Sequence, residues 1–279
     1  MLAAALALLA SLSWGTSDFL AGLQARRSTA WTAALGGQVV ASLALIALLV
    51  VVAPARPTLG AMAAPLVGGA VGGIGVLLQY RALALVDMSV VSPIIAGAAL
   101  VPVLWGAAIG ERPSALQIVG IVLTLVGIVL ISRRAPGAVA AALDRTGVLV
   151  AAVAAVAFGL FLVALKYGGK ADPLWTVTVA RTAAVLMLLA VAGVTRPAIR
   201  LRRRALPVLV VVGLLIVAAN LLFTSATTIG YLSIVGVLGW LNPAITMGWA
   251  RVVLHERLRP LQVGAAVLVF AGIVCLTLG

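Results

Sequence analysis

Few side chains in this sequence can do chemistry, and most of them lie where a charge is expensive. Asp18 is the only acidic residue well inside an apolar run, and Arg181 lies inside another, about eight residues in. On a helix rising 1.5 Å per residue that is roughly 12 Å from the start. A charge at mid-bilayer costs at least about 2.5–3.5 kcal/mol on insertion scales, so each needs a reason. For Asp18 the reason is either a proton- or cation-binding carboxylate or a polar helix end, helped by Thr16 and Ser17, four residues before the run closes. For Arg181 it is either recognition of an anionic group such as a carboxylate or pairing that ties two helices together. The two positions imply different depths, so no Asp18–Arg181 pair is assumed.

Neutral polar groups extend this set. Gln79 and Tyr80 close the third apolar run, and Asn220 lies in the corresponding run of the second half, with Thr224 and Ser225 one turn further. Such groups bond a polar solute, or bond neighbouring helices for about 0.6–2 kcal/mol each. Asn220 is expected to face a cavity and Gln38 to act as interhelical glue. Ser92-Pro93, Pro102 and Asn242-Pro243 interrupt the fourth and ninth runs. A proline inside a span frees a backbone carbonyl and can kink the helix. Interrupted spans in corresponding places of two halves point to a transporter's site. Trp14, Trp105 and Trp240 are candidate cavity walls, with interfacial anchoring or packing as the alternative. Gly68, Gly69, Gly72, Gly73 and Gly75 form two small-residue faces suited to close helix packing.

These residues need a scaffold, and composition names it. Of 279 residues 64% are hydrophobic and 9% charged, with a mean hydropathy of +1.28. A soluble domain averages about 45–50% apolar and about 25% charged, so soluble enzymes and nucleic-acid modules are excluded. The net charge of +13 comes from 19 Lys and Arg residues set mostly in short connections, where they anchor loops rather than bind nucleic acid. A lone Cys275 and a lone His255 allow neither an internal disulfide nor a zinc site. There is no nucleophile–base set and no phosphate-binding loop before a Lys-Ser/Thr, so neither an enzyme nor an ATP-driven pump is expected, and no cofactor.

Ten apolar runs follow, at about 2–22, 30–53, 59–80, 89–109, 114–132, 146–165, 173–194, 205–229, 231–252 and 260–278. Helices are required, because lipid offers no partner to a free backbone group. The first run has no basic leader and no small-residue cleavage site, so it reads as a span rather than a removed signal peptide. Odd-numbered connections carry fourteen of the basic residues and even-numbered ones four, which places the odd connections in the cytoplasm and both termini outside.

The two halves repeat. Glu111-Arg112-Pro113-Ser114-Ala115-Leu116-Gln117 returns as Glu256-Arg257-Leu258-Arg259-Pro260-Leu261-Gln262 at an offset of 145, and Gly127-Ile128-Val129 returns as Gly272-Ile273-Val274. Trp31-Thr32 answers Trp175-Thr176, and Trp14-Gly15 answers Phe158-Gly159, at an offset of 144. The halves are 1–133 and 144–279. Five spans in each would make the second enter the membrane upside down, as an inverted repeat. Glu111, Arg112, Glu256 and Arg257 read as structural motifs tying short connections, with gating pairs as the alternative.

Trp14-Gly15, Gly110-Glu111-Arg112 and His255-Glu256-Arg257 resemble the EamA-type family of the drug/metabolite transporter superfamily, one unit per half. The resemblance implies a ten-helix carrier, commonly an exporter of amino acids, metabolites or toxic compounds. The expected function is secondary active efflux of a small organic metabolite or drug-like solute by alternating access. Its partners are that substrate, the lipid bilayer and protons as the candidate coupling ion. It is expected in the cell membrane as a multi-pass monomer or homodimer, with a non-transporting scaffold or helper subunit as the alternative.

Overall fold

The structure, a computed structural model, describes residues 1–25, 28–86, 88–132, 145–199, 203–253 and 260–279. His255, Glu256 and Arg257 lie outside the described residues. The chain runs through α1 (Leu2–Ala25), α2 (Ala30–Val52), α3 (Leu59–Leu85), α4 (Met88–Ala96), α5 (Leu100–Ala108) and α6 (Ala115–Ser132). It continues through α7 (Arg145–Gly169), α8 (Pro173–Thr195), α9 (Leu206–Ile229), α10 (Leu232–Gly239), α11 (Asn242–Val253) and α12 (Pro260–Leu278). No strand occurs among the described residues. Tyr80 falls within α3 and Pro93 within α4, their side chains outside the described part.

Seven helical stretches are long and apolar enough to cross a membrane, and three shorter apolar ones cover Ile94–Ala108, Ala115–Leu130 and Val263–Leu278. Leu43, Val51, Leu104, Val267 and Phe270 point outward, exposed. Helices apolar on their outer faces as well as their inner ones belong in lipid, so this is a multi-pass membrane protein.

Local chemistry sets the helix ends. The Thr29 and Thr58 hydroxyls accept from the backbone N–H of Thr32 and Ala61, starting α2 and α3, and the Asp172 carboxylate accepts from Trp175 N–H ahead of Pro173 to start α8. After α5 the chain turns at Gly110, whose φ of +83° suits glycine. Ser114 and Gln117 then cap α6 reciprocally: Gln117 N–H donates to Ser114 Oγ and Ser114 N–H to Gln117 Oε1.

Two expected runs are each broken in the middle. Between α4 and α5 lies a 3-10 turn, Gly97–Ala99, and between α10 and α11 the turn at Trp240–Leu241. Pro102 cannot donate to Ala98, nor Pro243 to Gly239, so the α-helical ladder loses a rung at each break. Other boundaries moved outward. The first span extends to Ala25, leaving Asp18 nearly two turns from its end rather than one. The seventh helix runs to Gly169, so Lys166 is in its last turn and buried rather than in a loop.

Small residues bring the helices close. Along α3, Gly68 and Gly72 abut Ala164 and Phe161 of α7, while Gly69 and Gly73 abut Ala180 and Ala184 of α8. Gly120 and Gly127 of α6 face Gly272 and Ala265 carbonyls of α12 in the same way. Without a hydrophobic effect between helices in lipid, such contacts hold a bundle by dispersion. α1 packs on α9, α10 and α11, and α2 on α8 and α9, so helices early in the chain interleave with late ones.

Candidate functional site

The two helix breaks meet. Trp240, at the second, donates its Nε1–H to the Ile95 carbonyl just before the first, at 3.3 Å. Its indole lies against Trp14 (centroids 6.5 Å, edge-on) and Phe158 (6.0 Å), and Trp14 in turn touches Phe223 (5.5 Å). Gly15 and Gly159 allow this approach. A Cβ on Gly15 would stand 2.9 Å from the Asn242 carbonyl, and one on Gly159 would stand 2.8 Å from that of Ala98. Pro102 is buried and rests on Gly236 of α10.

Arg181 lies inside the bundle, 8% exposed. Its Nη1–H donates to Gln38 Oε1 of α2 at 3.0 Å and its Nη2–H to Asn220 Oδ1 of α9 at 2.7 Å. The guanidinium stands over the Phe161 ring of α7, 4.8 Å from its centroid. Nε has no hydrogen-bond partner among the described residues. No carboxylate pairs with it among the described residues. Asn220 is wholly buried, and its other end donates Nδ2–H to the Ile216 carbonyl. The sequence set Gln38 apart as glue and Asn220 as a cavity group; here both hold the same cation.

Asp18 sits elsewhere, on a more open face of α1. Its Oδ2 accepts from Asn242 Nδ2–H (2.7 Å), while Asn242 Oδ1 is buried without a partner. Thr246 donates to the Gly15 carbonyl, Trp249 donates to Thr16 Oγ1, and the Trp249 ring stacks on Phe19, so α1 is fastened to α11 along this edge. Pro243 opens α11 next to Asn242, half-buried.

Glu111 follows the last turn of α5, outside the apolar helices, and accepts four bonds. Lys166 Nζ and Leu232 N–H donate to Oε1, each at 2.6 Å, and Ser233 donates its N–H (2.9 Å) and its hydroxyl (2.7 Å) to Oε2. A carboxylate thus caps the N-terminus of α10, where the helix dipole favours negative charge. Burial pushes the Glu111 pKa up, but Lys166 and the bonds from Ser233 and Leu232 outweigh it and hold the group below its ordinary value of 4.5. Beside it Trp105 Nε1–H donates to the Tyr167 hydroxyl (2.9 Å), whose ring Lys170 overlies. Arg112 is exposed, and Gln79, half-buried near the end of α3, joins none of these clusters.

Sequence reasoning missed Lys166, Ser233, Phe161 and Phe223. Lys166 had a usable signal, since it stands one helical turn before Lys170 in a run otherwise free of charge. The aromatic side chains had none, since in an apolar chain only packing tells a cavity wall from a core residue. An apolar crevice of about 270 Å³ also opens between α1, α11 and α12, but Ser11 alone among its lining residues is polar. No cluster of three or more His, Cys, Asp or Glu side chains occurs among the described residues.

The EamA-like transporter family model matches twice, at residues 1–133 and 145–278. A solved structure titled only as the crystal structure of a protein superposes with a TM-score of 0.84, over 99% of this chain and 96% of that one. At 20% identity it speaks for the fold alone. No curated protein sequence matches.

Proposed function

Given that the chain belongs to the EamA-like transporter family of the drug/metabolite transporter superfamily, we propose that it is a secondary active carrier exporting a small organic solute across the cell membrane. Ten spans fit this reading, the seven long stretches and the three shorter ones, divided as five in 1–133 and five in 144–279. An odd number per half inverts the second against the first, and exchange between two nearly equivalent packings then opens the site to one side or the other. The chain works as a monomer or homodimer.

One observation carries the reading: two apolar stretches, each interrupted at mid-length, touch at Trp240 and Ile95. Helix breaks at membrane depth are tolerated where they line a site or are buried in protein, and a passive scaffold needs neither a pair of breaks nor a buried arginine. Asp18 is the proton-binding group of this proposal, because Asn242 links it directly to the first turn of α11, and so to the break.

Counterflow in proteoliposomes tests it. Purified protein should exchange labelled solute from a panel of amino acids, organic acids, nucleobases and amines in a saturable way, and a proton gradient should drive accumulation. Asp18→Asn should keep exchange and lose gradient-driven accumulation. Absence of counterflow for every solute would overturn the carrier, and wild-type accumulation by Asp18→Asn would overturn the coupling role.

A further inference from the structure

We infer that the Arg181 centre seats the carboxylate of a small amphipathic organic acid whose planar apolar body lies among the aromatic side chains beside it. The inference deepens the carrier reading and rests on it. Its first support is electrostatic. A buried guanidinium bonded, among the described residues, to two neutral amide oxygens and no carboxylate, with Nε unpartnered, has donor capacity and charge left over. The natural complement of a guanidinium is a carboxylate, taken by two parallel N–H···O bonds.

The second support is the path of side chains leading away from it. Phe161 lies under the guanidinium, and Phe158, three residues earlier on α7, lies against Trp240. Trp240 touches Trp14, Trp14 touches Phe223, and Phe223 is three residues after Asn220 on α9. Asn220 closes the circuit on Arg181. Residues three apart on a helix share a face, so this loop of contacts joins the cation to the crossing of the two helix breaks. Its wall is aromatic, with one cation at one end. That combination selects an anionic head on an apolar, preferably planar, body and rejects an amine of the same shape. In the conformation described here the rings touch one another and the guanidinium is covered, so the acid enters when the helices part.

The test follows tryptophan fluorescence, to which Trp14 and Trp240 contribute, on wild-type protein in nanodiscs titrated with phenylacetate, benzylamine or chloride. Phenylacetate should give a saturable change, and benzylamine and chloride none. Arg181→Gln should weaken phenylacetate binding at least tenfold. Asn220→Asp supplies an internal carboxylate to the same guanidinium, so it should raise the melting temperature and abolish phenylacetate binding, whether or not Arg181→Gln folds. Wild-type binding by Asn220→Asp, an equal response to benzylamine, or saturation by chloride alone would each overturn the inference. Counterflow of other solutes with phenylacetate silent would overturn it and leave the carrier standing. Phenylacetate binding without any counterflow would keep the site and overturn the carrier.

Discussion

Glu111 and Arg181 are both buried charges, and the protein holds them in opposite ways. Glu111 has a cation, a helix N-terminus and a hydroxyl, four donors on two oxygens. Arg181 has two amide oxygens, an aromatic face and an Nε–H without a partner among the described residues. A charge satisfied on every side by its own chain is held for structure. On the inference drawn above, a charge left short of a counter-ion is completed by a ligand. Position agrees with this division. Glu111 follows α5 and bonds α7 and α10, fastening one end of the bundle, whereas Arg181 lies inside it.

The largest effect should follow from emptying the satisfied site. Glu111→Ala strips Lys166 of its partner and uncaps α10, and removing one member of a buried pair costs about 3–5 kcal/mol. Denaturant unfolding in detergent would read it, and a loss below about 1 kcal/mol would show that the two sites do not differ as argued.

A smaller effect should appear with acid. The Glu111 carboxyl titrates below 4.5 when folded, so the unfolded chain takes up the proton first. Its contribution to stability is therefore complete above about pH 4.5 and is lost as pH falls through the lower, folded value. The loss is less than in Glu111→Ala because a protonated carboxyl still accepts bonds on one oxygen. Melting temperature followed from pH 6 to pH 3 should show an acid limb in wild type that is flattened in Glu111→Gln. An unaltered limb in that variant would assign the acid sensitivity to another group.

How far each site can be read from sequence differs for the same reason. Membrane placement, helix content and most span boundaries follow from composition and run length, because lipid leaves the backbone no alternative. Of the three prolines marked as helix breakers, Pro102 and Pro243 stand at the breaks, while Pro93 lies within α4. The Glu-Arg motif was visible as a repeat and as a structural tie, but the helices that Glu111 ties were not. What Glu111 does depends on Lys166 and Ser233, which come 55 and 122 residues later and meet it only through packing. Arg181 was conspicuous on its own because charge within an apolar run is rare. Its partners Gln38 and Asn220 stand 143 and 39 residues away, and nothing in their spacing joins them to it. Costly residues can thus be found one at a time, whereas the networks that explain them appear only once the helices interleave.

The smallest stability effect belongs to Arg181, and there a small number carries the most weight. Arg181→Gln removes a cation that no carboxylate among the described residues balances, and leaves an amide able to bond Gln38 or Asn220. Relief of the buried charge offsets the lost hydrogen bonds, so unfolding stability should change by about 1 kcal/mol or less in either direction. Measured beside Glu111→Ala under the same conditions, a near-zero value would place the purpose of Arg181 in ligand binding rather than assembly. A loss as large as that of Glu111→Ala would make Arg181 a strut between α2, α8 and α9, and the two buried charges would then be alike.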